Sequence, residues 1–285
     1  QAQSTRASVS RRQPGSVFKP FVYLTAFEQA AESGRTDVTP ASITLDEEET
    51  FEFDNQTWTP ANYEKEFNGP VTYRFALAHS LNLATIHVAQ AAGYDRVSAL
   101  WKKLGVGNPP KPYPSIALGV FEATPYEIAT AYTIFPNLGS ERPLKHLLKI
   151  ISGGTDVTKK TPDRLRPIAR PETTYLVLDM MRSVLNIGTA AAARSQGFTL
   201  DAAGKTGTTN DQRDAWFVGF TPELLTVVWV GLDDNQPLGL TGAQAALPIW
   251  TEFMTRALTG RASVAFEVPE NISFADIDLT REPLG

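Results

Sequence analysis

The sequence predicts an α+β fold in which an antiparallel β-sheet is flanked by helices. Apolar residues recur at helical spacing through much of residues 17–185. After residue 197 the texture changes to three short apolar or alternating runs separated by turn residues. Helices therefore come first, strands second and a closing helix last, a segregation that argues for helices packed on an antiparallel sheet.

Taken in order, residues 1–15 are polar and end in Pro14-Gly15. The spacing predicts a helix over 17–31, closed by Gly34, with Pro20 tolerated only in its first turn. Residues 35–70 are mixed. Glu47-Glu48-Glu49 reads as a solvated loop or strand edge, and Phe51, Phe53 and Trp58 suggest short extended pieces. An alanine-rich helical stretch over 71–92 is interrupted near Ser80-Leu81-Asn82. A short helix over 97–104 stops at Gly105 and Gly107, and 109–114 is a proline-rich turn. Further helices are expected over 125–135 and 173–185, with a hairpin around Gly153-Gly154 between them. The meander comprises 203–209, 215–220 and 224–231, and a helix over 248–258 follows. No internal repeat, low-complexity segment or convincing domain boundary interrupts this order.

The chain has 285 residues, 42% hydrophobic and 20% charged, enough for a sizeable core. A net charge of -5 offers no basic patch for nucleic acid. The absence of cysteine excludes disulfides and thiolate metal sites. The three histidines, His79, His87 and His146, are too scattered to suggest a metal centre. No apolar run is long enough to span a membrane, and no signal peptide is present. The chain begins at Gln1, which suggests a fragment or processed product.

Gly204-Lys205-Thr206 invites a phosphate-loop reading. That motif needs a glycine at position 199, which is Thr199, and a following helix, whereas Thr208-Thr209-Asn210-Asp211 reads as strand end and turn. Three other features carry chemistry. In Ser16-Val17-Phe18-Lys19, helical spacing puts Ser16 and Lys19 on one face, where a lysine can take the serine's proton. Bringing that lysine near neutrality takes roughly 4 kcal/mol of differential interaction, which burial and a second cation supply. In Ser80-Leu81-Asn82 the hydroxyl and amide point the same way if the segment is extended, one able to relay a proton and the other to hold a lysine or a substrate carbonyl. Lys205-Thr206-Gly207-Thr208 on a strand edge offers a cation, hydroxyls for a carboxylate and unpaired N–H groups. Gly207 would let another backbone lie alongside. Each feature alone is commonplace.

Together and in this order, Ser-x-x-Lys, Ser-x-Asn and Lys-Thr-Gly are the motif set of penicillin-binding proteins and class A β-lactamases. The segments 12–20, 76–84, 188–190, 203–211 and 214–222, and Thr241-Gly242 with Ala245, Pro248 and Trp250, extend the likeness over most of 5–260. The chain resembles the transpeptidase domain of class A penicillin-binding proteins. The resemblance implies the α+β fold shared with serine β-lactamases and a single transpeptidase domain over 1–285. It implies a D,D-transpeptidase that cross-links peptidoglycan stem peptides by acyl transfer from D-Ala-D-Ala to an amine, and that β-lactams acylate. Ser16 is then similar to the family's nucleophile, Lys19 to its general base, Ser80 to the proton relay and Asn82 to the group orienting Lys19 and the substrate amide. Lys205 adds positive potential, Thr206 and Thr208 form the carboxylate clamp with Gly207 between them, and the N–H groups of Ser16 and Thr208 form the oxyanion hole. No cofactor and no nucleic-acid partner is implied. The expected location is extracytoplasmic in a bacterium, with membrane anchoring only through parts absent from this chain.

Two departures and three alternatives accompany the resemblance. The family's sheet includes strands before the nucleophile helix, and class A members carry a glycosyltransferase domain and a membrane anchor, so the chain is expected to be a fragment lacking these. A class A β-lactamase needs a Glu with Asn four residues on between the second and third motifs. Glu122, Glu127 and Glu172 have Tyr126, Ala131 and Leu176 there, and the second motif is Ser-Leu-Asn instead of Ser-Asp-Asn. A D,D-carboxypeptidase and an inactive peptidoglycan-binding scaffold remain open.

Overall fold

The structure is a computed structural model describing residues 5–145, 149–158 and 164–278; His146 lies outside the described residues. A short helix α1 (Arg6–Val9) precedes a 3-10 turn over Gly15–Phe18, which runs directly into α2 (Lys19–Glu32). Pro20 falls in the first turn of α2, where its missing N–H leaves no helix bond broken. Phe21, Val22, Tyr23 and Leu24 are all fully buried, so α2 is apolar all round and sits inside the molecule.

Short strands β1 (Ile43–Asp46), β2 (Phe51–Phe53), β3 (Gln56–Trp58) and β4 (Gly69–Thr72) follow, with β1 antiparallel to β4 and β2 to β3. The helical stretch expected from residue 71 therefore starts later, as α3 (Tyr73–Ala78), capped by the Thr72 side chain on Phe75 N. After the expected break come α4 (Asn82–Ala92) and α5 (Tyr94–Leu104). The proline-rich turn passes into a 3-10 segment over Pro114–Leu118, and α6 (Pro125–Tyr132) opens with a Thr124/Glu127 capping box. Strands β5 (Ser140–Glu141), β6 (Ile151–Ser152), β7 (Thr155–Asp156) and β8 (Arg166–Pro167) are two-residue pieces. β6 and β7 form the expected hairpin, while β5 pairs with β8. These short strands break the expected segregation, because the main sheet alone lies late in the chain.

α7 (Pro171–Asn186) and α8 (Ala192–Ser195) lead to the sheet of β9 (Ala203–Thr208), β10 (Asp214–Phe220) and β11 (Leu225–Gly231), ordered β11-β10-β9 and antiparallel throughout. α9 (Gly242–Ala257) begins earlier than Pro248 because Thr241 and Gln244 form a capping box, leaving Pro248 inside the helix. Alternation splits β10 between two cores. Trp216, Val218 and Phe220 join the cluster around α2, while Phe217 joins the cluster of Trp250, Leu247 and Met254 from α9 with Val184 and Leu185 from α7. By register Lys205 lies opposite Val218 and Gly207 opposite Trp216, so both face the α2 layer. Among the described residues β9 and β11 are the sheet's edges, and no helix is long and apolar enough to cross a membrane.

Candidate functional site

The Ser16 turn is fixed from several sides by backbone contacts. Arg12 and Ala123 exchange N–H···O bonds of 3.0 and 2.9 Å, and Trp216 Nε1 donates to Gln13 O at 2.9 Å. Tyr132 Oη donates to Val17 O. Two glycines allow the closeness. A Cβ on Gly119 would stand 2.3 Å from Gly15 O, and one on Gly207 would stand 3.0 Å from Pro14 O and 2.9 Å from Val17 Cγ1. The backbone that Gly207 admits is therefore the segment leading into Ser16. Ser16 itself is half-buried, and among the described residues its Oγ has no hydrogen-bond partner.

Lys19 is fully buried, and its Nζ reaches into the break between α3 and α4. It donates to Ser80 O at 2.6 Å, Asn82 Oδ1 at 2.7 Å and Leu81 O at 3.1 Å, with Ser80 Oγ at 3.4 Å. The expected meeting of Ser16 Oγ with Lys19 Nζ is thus not made as a hydrogen bond. Three carbonyl-type acceptors hold the amine, whereas one i,i+3 hydroxyl competes for it. Burial first, then the charge of Lys205, holds Lys19 well below the usual lysine range, and Asp46 opposes them.

The break that supplies those acceptors is a Schellman stop to α3. Leu81 N donates to Ala76 O at 2.9 Å and Ser80 N to Leu77 O at 3.2 Å, which puts Ser80 in the left-handed region at φ 59°. Glycine usually fills that position, and a side chain there costs about 1 kcal/mol. Ser80→Gly is accordingly expected to raise stability by about 0.5–1 kcal/mol in a denaturation series, even as the side chain facing Lys19 is lost.

On the edge strand β9, Lys205 is fully buried and donates to Thr206 O at 3.1 Å; burial pulls its pKa down to about 7. Thr206 and Thr208 lie on the opposite face of the strand from Lys205. Thr206 Oγ1 is 2.6 Å from Thr189 Oγ1, and Thr208 Oγ1 accepts from Gly242 N at 3.0 Å, which leaves the Thr208 hydroxyl hydrogen for another acceptor. Thr189 belongs to a noted motif whose role the sequence left open. Across the cleft, Gln212 Nε2 donates to Tyr63 Oη at 2.6 Å, joining the turn after β9 to the 60–68 loop. That loop also brings Asn62, whose Oδ1 accepts from Asn82 N at 2.7 Å. Neither contact was readable from spacing, because the partners are far apart in the chain.

The structure thus brings Lys19, Ser80, Asn82 and Lys205 together behind the Ser16 turn, with Gly207 against that turn. Such an arrangement suits a serine alcohol activated by a buried amine in front of a cationic wall. Comparison with known proteins follows the same line. The family model of the penicillin binding protein transpeptidase domain matches residues 2–255. Penicillin-binding protein 1A of Aquifex aeolicus (strain VF5) is 40% identical over 280 residues, covering 95% of this chain and 37% of that protein. The chain therefore spans well under half the length of the curated relatives it matches. The crystal structure of penicillin-binding protein 1A from Haemophilus influenzae superposes with a TM-score of 0.87 at 27% identity, over 97% of this chain and 47% of that one. PonA1 from Mycobacterium tuberculosis, solved in complex with penicillin V, superposes with a TM-score of 0.79 at 23% identity, over 95% of this chain and 76% of that one; this likeness is one of fold.

Proposed function

The chain belongs to the penicillin binding protein transpeptidase domain family, and from that premise we propose that it is a serine D,D-transpeptidase domain that cross-links peptidoglycan stem peptides. The observation that carries the reading is the fully buried Lys19, held by Ser80 and Asn82 one helical turn from Ser16 and repelled by Lys205.

In this reading neutral Lys19 Nζ takes the proton of Ser16 Oγ as Oγ attacks the carbonyl of the donor's D-Ala-D-Ala peptide bond. A neutral amine has two N–H groups, which Ser80 O and Asn82 Oδ1 occupy, so its lone pair is free for that proton. The N–H groups of Ser16 and Thr208 receive the developing oxyanion. Collapse breaks the C–N bond, and the departing D-alanine nitrogen receives a proton from Lys19 through Ser80 Oγ. The acyl ester on Ser16 then passes to the amine of a second stem peptide, whose proton returns to Ser16. The hydroxyls of Thr206 and Thr208 bind the donor carboxylate and Lys205 adds positive potential behind them, with Gly207 giving the strand close approach to the Ser16 turn. A β-lactam enters by the same route, but its ring nitrogen stays tethered to the acyl group and blocks the amine. The working protein acts on the extracytoplasmic side of a bacterium, and residues 1–285 form one transpeptidase domain.

Incubation with a D-Ala-D-Ala-terminated pentapeptide and an amine acceptor tests this. Release of D-alanine with a cross-linked product is expected. Release with free acid alone would make the domain a carboxypeptidase, and no release from folded protein would make it a scaffold.

The two lysines also set a pH profile. Acylation needs Lys19 neutral, so the rate constant rises with pH along an acid limb. Carboxylate binding needs Lys205 charged, so the same constant falls as pH rises through about 7. Stopped-flow acylation by a chromogenic β-lactam between pH 5 and pH 9 is expected to trace this bell.

A further inference from the structure

Asp46, the last residue of β1, is fully buried, yet among the described residues no cation forms an ion pair with it. A bare carboxylate in that position is costly unless its oxygens are satisfied. They are satisfied by amides. Asn62 Nδ2 donates to Oδ1 and to Oδ2 at 2.9 Å each, and Asn68 donates to Oδ2 through its backbone N at 3.0 Å and its Nδ2 at 2.8 Å.

This has a directional consequence. An ionised carboxylate only accepts, so it selects the NH₂ end of the Asn62 amide and turns the oxygen end outward. That oxygen takes the backbone N–H of Asn82 at 2.7 Å. Asn82 is held a second time, by Nδ2 on Ala61 O at 2.7 Å, next to Asn62 in the chain. Its own Oδ1 then meets Lys19 Nζ at 2.7 Å. The relay Asp46–Asn62–Asn82–Lys19 is a single polarised chain of hydrogen bonds in a buried setting.

Resting on the transpeptidase reading above, we infer that Asp46 is a positioning residue for acylation, which acts through Asn62 to orient Asn82 and so seats Lys19. Its charge has a second effect, on the amine's proton, that opposes the first. Asp46 favours the charged form of Lys19, against burial and Lys205. Lys205 from β9 and Asp46 from β1 are the groups whose charge acts on Lys19. Tyr23, further along α2, is kept neutral by burial, and His87 of α4 is turned onto Leu45 O and Glu49.

Asp46→Asn replaces an acceptor with a donor facing Asn62, which then cannot present both of its ends correctly. Asn62→Ala removes the link but keeps the Asp46 charge. With the same chain and a chromogenic β-lactam, both variants are expected to acylate more slowly, by on the order of tenfold. Asp46→Asn is further expected to move the acid limb to lower pH, whereas Asn62→Ala leaves the limb closer to that of the parent. Partial unfolding would lower the amplitude of acylation but would move neither the rate constant of the folded fraction nor the pH midpoint, so a purely structural role is told apart. Folded variants with the parent's rate constant and limb overturn the inference. If Asp46→Asn does not fold, the Asn62→Ala rate constant decides alone, and an unchanged value overturns it. A parent that is not acylated at all would instead fail the transpeptidase reading, before either variant is compared.

Discussion

Replacing Ser16 with alanine leaves a folded protein that β-lactams do not acylate and that releases no D-alanine from a pentapeptide donor. The expected loss is about 10⁵- to 10⁶-fold, the scale seen when a serine nucleophile is removed from a concerted site. Stability should stay within about 0.5 kcal/mol of the parent. The side chain is half-buried, and among the described residues its Oγ has no hydrogen-bond partner, so only one oxygen is lost. The Ser16 turn is held by the Arg12–Ala123 bridge, Trp216 on Gln13 and Tyr132 on Val17, none of which involves the Ser16 side chain. A melting curve with the second-order acylation constant checks both halves. An alanine variant that is still acylated would place the nucleophile elsewhere, and one that unfolds would contradict the stability half.

Lys205→Met is expected to move stability and activity in opposite directions. Lys205 is fully buried, and Thr206 O at 3.1 Å is its one hydrogen-bond acceptor among the described residues. A methionine of similar length fills the space without a charge to desolvate, which is worth about 1–4 kcal/mol when buried ions are replaced by apolar groups. The gain depends on pH in a definite direction. The folded-state pKa is lowered from 10.5 to about 7, so between those values the unfolded chain binds the extra proton. The penalty is then full below about pH 7 and fades as pH rises toward 10.5. The stabilisation by Lys205→Met should therefore be largest at and below neutral pH and shrink in alkali. Acylation moves the other way. The positive potential proposed to draw the donor carboxylate is gone, and Lys19, relieved of its neighbour's repulsion, keeps its proton to higher pH. A fall in acylation of about 10²- to 10³-fold is expected, with the acid limb shifted to higher pH, opposite to Asp46→Asn. Thermal melts at several pH values and the acylation profile read the two effects separately.

These predictions rest on contacts that the sequence revealed unevenly. The apolar stripe of α7 and the break that separates α3 from α4 were legible. So was the β9–β11 meander, because its strands follow one another directly and turn residues separate them. The edge position of β9 followed from its place at one end of that meander. The β1–β4 and β5–β8 pairings were not legible. Each joins strands of two to four residues across long stretches of chain, so neither period nor turn chemistry marks them. The early start of α9 lay in the Thr241/Gln244 capping box, a local signal present in the sequence.

Within the candidate site, the short motifs singled out Lys19, Ser80, Asn82 and Lys205, and the structure brings these four side chains together, but their bonding was not legible. Helical spacing alone pairs Ser16 with Lys19, whereas the Lys19 amine is drawn to the carbonyls freed by the left-handed turn at Ser80. Asp46 and Asn62 carry no motif. Their place beside Asn82 comes from β1 and the 60–68 loop folding over α4, and from a buried charge that has to find donors.

The measurement that tests the account most directly is the intact mass of the chain after incubation with benzylpenicillin, followed by peptide mapping. The account predicts a stable increase of one drug mass, carried by the peptide that contains Ser16. A folded chain that gains no mass, or an adduct on any other residue, would contradict it.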